Sequence, residues 1–236
     1  MIRLCHAFAS LMDLYGDYAN MRVLAQRLKD IGQQVEYRVL PRFEGFDPDN
    51  TDMLFIGPGT EQSAMKACEE IGQYAGKIEK YLEKGGIVLL CGNAPALFGK
   101  GINAGDESRP GLGIIDSQYT VSYRLRRYSE ILADGPWGET VGTINTSCSV
   151  SWGGDPMFKV NVDTDRLSNG TEGMIAGNIY ATEITGPLLV NNPAACDYFV
   201  EKLCGKLPEK DTEGWYGLAV RAHDRFLGTL KEAASK

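Results

Sequence analysis

The residues with the most chemical potential in this chain are one cysteine and two histidines. Cys91 lies in LLCGNAPALFG (89–99), where the apolar strand-type run IVLL (87–90) delivers a thiol and Gly92, Asn93 and a short helical pattern follow. A strand that turns sharply into a helix holds its side chain exposed in strained backbone, the arrangement of a nucleophile elbow. The helix N-terminus behind it is expected to lower the thiol pKa, and the Gly92 N–H is placed to donate to an oxyanion. Asn93 tolerates a left-handed turn conformation, though less easily than glycine. Cys5, Cys68, Cys148, Cys196 and Cys204 lack this context. With no CxxC pair or framework spacing, they read as free thiols of a reducing compartment. His6 and His223 are the two histidines of the sequence, so a His-rich metal site is excluded. No metal or cofactor is implied, and a histidine base must be one of these two.

A second strand end, FIGPGTE (55–61), carries a Gly-rich turn. Parallel strands place their C-terminal ends on one rim, so this loop is expected beside Cys91. Gly59 is its natural N–H donor, since Pro58 has none.

The elements that must position these groups alternate in the first half. Residues 1–8 form a strand-length run, and Met21, Leu24, Ala25, Leu28 and Ile31 recur at helical spacing between Asp17 and Gly32. Val35, Tyr37 and Val39 alternate as a strand, MLFI (53–56) is a buried strand, and Ala64 to Leu82 reads as one long amphipathic helix. Unalternating apolar strands between helices predict a mostly parallel α/β sheet covered on both faces. From Gly111 to Val162 the pattern turns to short β-rich pieces, expected as antiparallel strands extending or flanking the sheet. MIAGNIYAT (174–182) reads as one further core strand, TGPLLVNNP as a turn, and 193–204 as a helix. The linker GKLPEKDTEG precedes a last helix near 215–232, which divides the chain into a domain of residues 1–205 and a tail of 206–236.

Composition sets the outer bounds. The chain of 236 residues is 43% hydrophobic, too apolar for disorder, and has no apolar stretch of membrane-spanning length. MIRLCHAFASLMDLYGD is a poor signal peptide, which points to the cytoplasm. A net charge of −7 argues against nucleic acid as a partner, and the cluster Arg124, Arg126, Arg127 suits a small anion better.

The stretches MDLYGDYANMRVLAQRLKDIG (12–32), LFIGPGTEQ (54–62), LLCGNAPALFG (89–99), GLGIID (111–116) and ITGPLLVNNP (184–193) resemble successive blocks of class I glutamine amidotransferases of the cobyric acid synthase (CobB/CobQ) type. Within that family the chain is most similar to glutaminase subunits that supply ammonia for amidating a cell-wall precursor. The blocks run in order over residues 1–204. The resemblance implies a flavodoxin-like fold and thiolate attack on the glutamine side-chain amide. A thioester then forms, ammonia leaves for a partner active site of Mur-ligase-like or other synthetase type, and water releases glutamate. It makes Cys91 the nucleophile and Gly59 and Gly92 the oxyanion-hole positions. Arg127 falls on the substrate side, with Asn93 and Thr60 in the loops beside it.

Three positions depart from the family pattern. Thr185 stands directly before Gly186-Pro187-Leu188-Leu189, where the family has its catalytic histidine. Thr146 in GTINTSC (142–148) occupies a second histidine position, and Asn93 replaces the usual glycine of the elbow. Threonine does not titrate near neutral pH and cannot act as the base. The leading expectation is therefore an amidotransferase-like subunit without ordinary glutaminase activity. The alternative is an active glutaminase using His6, at the end of the first strand, or Glu183, two residues before Thr185. A third is another cysteine chemistry on the same scaffold. His223, in the tail helix, is expected at the surface.

Overall fold

Continuous apolar runs become the central strands. The computed structural model describes residues 1–122, 126–166, 168–206 and 213–234; Arg124 and most of the predicted linker lie outside them. The first half runs β1 (Ile2–His6), α1 (Ala19–Asp30), β2 (Val35–Val39), β3 (Met53–Ile56), α2 (Glu61–Ile71), α3 (Ala75–Glu83), β4 (Ile87–Cys91) and α4 (Pro95–Phe98). Then come β5 (Gly101–Ala104), β6 (Glu107–Pro110), β7 (Ser117–Val121), β8 (Arg127–Gly135), β9 (Gly138–Thr146), β10 (Cys148–Trp152) and β11 (Pro156–Asp163). The chain closes with β12 (Thr171–Ala176), β13 (Ile179–Thr182), α5 (Leu188–Asn191), α6 (Pro193–Cys204) and α7 (Trp215–Ala234).

A nine-stranded sheet has the order β2-β1-β3-β4-β13-β12-β11-β8-β9. Pairing is parallel from β2 to β13 and antiparallel from β13 to β9. A second, four-stranded sheet runs β10-β7-β5-β6. The expected parallel sheet with an antiparallel extension is therefore present, but the extension matches the parallel half, four pairings of each kind, so the sheet is mixed.

Alternation along the central strands sorts two cores, as the two-residue period requires. Leu54, Ile56, Val88 and Leu90 pack with Ala64, Cys68, Ile71 and Ile78 of α2 and α3. Phe55, Leu89 and Cys91 pack on the other face with Met21, Leu24 and Leu28 of α1 and Phe199 and Val200 of α6.

Three local expectations change. The long helix from Ala64 to Leu82 is broken by a 3₁₀ turn at Gly72–Tyr74 into α2 and α3; Gly72 offers little helical preference to carry the α-helix through. MIAGNIYAT is a hairpin instead of one strand, because Gly177 takes φ +59° and turns β12 back into β13. Within TGPLLVNNP, Leu188–Asn191 form the short helix α5, entered through Pro187.

Helix α7 lies against β8, β9, β11, α5 and α6. Leu230 is buried with Leu132 and Val141. His223 is half-buried, its Nδ1 at 2.9 Å from the Asn191 carbonyl, so it bridges α7 to the end of α5 instead of standing free at the surface.

Candidate active site

The C-terminal rim of the parallel sheet gathers the chemistry. Cys91 is the last residue of β4, paired with Thr182 of β13, and is fully buried. Its backbone is ordinary strand; the left-handed residue of the turn is Gly92, at φ +67°. The turn closes with the Ala94 N–H donating to the Cys91 carbonyl at 3.2 Å. A side chain at Gly92 would be strained twice, by that φ and by a Cβ set 2.5 Å from the Pro58 Cβ. The expectation of an exposed thiol in strained backbone is thus corrected: the strain sits one residue later, on the glycine that can bear it.

The expectation of a lowered thiol pKa is corrected as well. Helix α4 is a single turn, and burial dominates the thiol. Loss of hydration pushes Cys91 well above its usual value, and the charges of Asp17 and Glu172 add to the rise. Little thiolate exists at neutral pH in this state.

The loop after β3 does come to the same rim, and its contact is specific. The Asn93 side chain accepts from the Gly59 N–H at 2.9 Å through Oδ1 and donates to the Gly59 carbonyl at 2.9 Å through Nδ2. The carboxamide is buried and pairs both polar groups of Gly59. A Gly59 N–H paired in this way is not available to an oxyanion. Gly92 borders the same space, with its carbonyl held by the Tyr119 hydroxyl at 2.9 Å. Thr60 serves as the N-cap of α2, accepting from the Ser63 N–H at 3.1 Å, and does not line the site.

Thr185 lies where the sequence blocks place it, beside the elbow. Its Cγ2 lies 3.2 Å from where a Gly92 Cβ would stand. Its hydroxyl donates to the Thr143 carbonyl at 3.2 Å, and its N–H donates to the same oxygen at 2.8 Å. The methyl group thus faces the turn while the polar group is tied to β9.

Glu183 follows the end of β13 in a bend, so strand alternation does not apply to it. It nevertheless borders the same small space, together with Gly59, Gly92, Asn93 and Thr146. Loss of hydration and the nearby charge of Glu172 push its carboxyl up to about 8, against the Arg127 charge and a hydrogen bond with Thr146. His6 is on the same face as Cys91 but two strands away, in register with Phe55 of β3 and through it Leu89 of β4. Strand spacing puts those backbones roughly 10 Å apart. The Phe55 ring, 5.0 Å from the imidazole, packs against it. Burial lowers the His6 pKa and keeps the ring neutral.

Arg127 points elsewhere. Its guanidinium donates to the Cys148 carbonyl at 3.2 Å, and it does not line the space by Gly59. The arginine that does is its neighbour Arg126. It bonds Asn145 Oδ1 at 2.7 Å and the Tyr15 hydroxyl, and lies 3.5 Å from Glu61. This strap of a half-exposed side chain leaves about 10 Å³, the scale of a single water, so glutamine would enter only with the Arg126 side chain displaced. By sequence Arg126 falls in a basic cluster, but the resemblance chooses Arg127 for the site, and Tyr15 and Asn145 carry no signal there. Among the described residues no group of metal-ligating side chains gathers anywhere.

Two further carboxyls mark the rim. Asp17 accepts from the Gly186 N–H at 3.0 Å through Oδ1, while its buried Oδ2 has no hydrogen-bond partner among the described residues. Glu172 accepts from the Thr182 hydroxyl and the Glu183 N–H, each at 2.6 Å. Burial raises both carboxyls to about 7. The folded chain therefore holds protons that the unfolded chain releases near pH 4. The stability these groups contribute is complete below about pH 4 and is lost as pH rises through about 7. Thermal denaturation should show a lower midpoint at about pH 8 than at about pH 5, and Asp17→Asn should shrink that difference.

The fold and the cysteine-bearing rim define a class I glutamine amidotransferase-like protein. At 30% identity over 206 residues, 84% of this chain and 83% of the relative, it matches the GatD subunit of the glutamine-hydrolysing lipid II isoglutaminyl synthase of Staphylococcus aureus. The chain belongs to the GatD family. The Streptococcus pneumoniae GatD subunit is 24% identical over 54% of this chain and 49% of its own length. Among solved structures, a glutamine amidotransferase superposes with a TM-score of 0.57 at 14% identity, covering 86% of this chain and 99% of that one. The PurLQS structure of Thermotoga maritima gives 0.51 at 11% identity, over 96% and 99%; both show the shared fold. No family model matches the sequence.

Proposed function

We propose that this chain is a GatD-like subunit of the CobB/CobQ type that keeps the glutamine-directed scaffold and has lost efficient glutamine hydrolysis. It acts as a binding or regulatory subunit beside a synthetase of Mur-ligase type, with residues 1–205 forming the amidotransferase-like unit. Cys91 occupies the nucleophile position, Gly59 and Gly92 the oxyanion positions, and Thr185 the position of the missing base. The observation that carries the reading is the Asn93 carboxamide on Gly59. It engages the backbone donor that a developing oxyanion would need, and such a donor is typically worth ~10²–10³-fold in rate. Threonine in place of the histidine at position 185 removes a further ~10²–10⁴-fold.

A glutamine-analogue electrophile such as a chloroketone tests this reading. Cys91 should be alkylated no faster than the partly exposed Cys204. Rapid, selective labelling of Cys91 that glutamine protects against would contradict it. One observation supports a second reading, an active glutaminase with Glu183 as base: its carboxyl borders the same space as Gly59 and Gly92. With a pKa of about 8, such a base would work only above neutral pH, and Glu183→Gln would abolish turnover as fully as Cys91→Ala.

A further inference from the structure

On the far side of Glu183 from the Gly59 loop the two sheets leave a cleft between β10 and β12. Its volume is about 290 Å³, at the small end of ligand pockets and suited to a molecule of amino-acid size. Glu172 and Glu183 form its acidic end. Ser151, Asn169 and Thr171 supply hydroxyl and amide groups, and Trp152 supplies an aromatic wall. The Glu172 carboxyl is almost fully buried and is held in place by the Thr182 hydroxyl and the Glu183 N–H. Among the described residues no cation lines the cleft beside these two carboxyls. Arg127 lowers the Glu183 pKa from nearby, but its guanidinium is hydrogen-bonded to the Cys148 carbonyl and does not line the cleft. A compact cation with several N–H donors suits both the carboxyl pair and the indole.

We propose that this cleft binds a small primary amine in its ammonium form, with the ammonium on Glu183 and Glu172 and the remainder of the ligand along Ser151, Asn169 and Trp152. The site does not involve Cys91 and stands whether or not glutamine is hydrolysed. Intrinsic fluorescence reads it, because Trp152 lines the cleft. Ethanolamine and methylammonium chloride should each give a saturable change, half-maximal on the order of millimolar concentration. Sodium chloride and acetamide at the same concentrations should give none, and Trp152→Phe should remove the signal. By saturation-transfer NMR, Glu183→Gln should weaken binding at least about tenfold, about 1.4 kcal/mol. Ser151→Phe fills the cleft from an exposed position without touching either carboxyl, and should abolish binding in a chain that still folds. No saturable response to either ammonium, an equal response to sodium chloride, or undiminished binding in Ser151→Phe would overturn the proposal.

Discussion

Replacing Thr185 with His and Asn93 with Gly together should raise Cys91-dependent glutamate release from glutamine by at least ~10²-fold, whereas each single change should give little. The reason is that two obstacles act in series. Asn93→Gly frees the Gly59 N–H, now 2.9 Å from Oδ1, but leaves the thiol without a proton acceptor. Thr185→His places a titratable ring beside Gly92 but leaves the oxyanion donor engaged. Only the pair addresses both, so the gain should exceed the product of the single effects. Histidine is larger than threonine at a site that is 2% exposed, so some stability will be lost. Adding Cys91→Ala to the pair should return activity to background. A folded double variant with no gain would show that the loss of activity lies elsewhere.

Asp197→Ala should destabilise the fold by about 3–5 kcal/mol, read as a large drop in the denaturation midpoint. Asp197 of α6 accepts from Arg27 Nε of α1 at 2.8 Å and from the Tyr216 hydroxyl of α7 at 2.5 Å. The guanidinium also lies over the Tyr216 ring, 3.8 Å from its centroid. Arg27 and Asp197 are both buried, with side chains 4% and 8% exposed. Removing the carboxylate breaks a buried ion pair and takes the acceptor from the Tyr216 hydroxyl, which costs far more than the loss of one surface pair. Tyr216→Phe keeps the ring under the guanidinium and removes only the hydroxyl, so it should cost about 1 kcal/mol. The same network joins α7 to α1 and α6, so loosening of α7 should accompany the Asp197 variant in hydrogen exchange.

The parallel half of the fold was legible because its strands are short, continuous apolar runs with a helical period between them. MLFI and IVLL could not face water on either side, and they do not. The hairpin of β12 and β13 was harder to see, because MIAGNIYAT reads as unbroken strand until Gly177 is known to take a positive φ. β5 and β6 left almost no signal, being four residues each, with β6 largely exposed. Of the candidate site, Cys91, Gly59, Gly92, Asn93 and Thr185 were picked out from their order along the chain, and the fold brings them together. What order could not supply was side-chain direction. It did not predict that the Asn93 carboxamide turns back onto Gly59, that burial raises the Cys91 thiol, or that Arg126 instead of Arg127 spans the mouth.

The most direct measurement is glutamate release from glutamine by the purified chain, wild type beside Cys91→Ala, with a candidate synthetase partner present and absent. The account predicts that the two proteins are indistinguishable and close to background in both conditions. A robust wild-type rate that disappears in Cys91→Ala would contradict it.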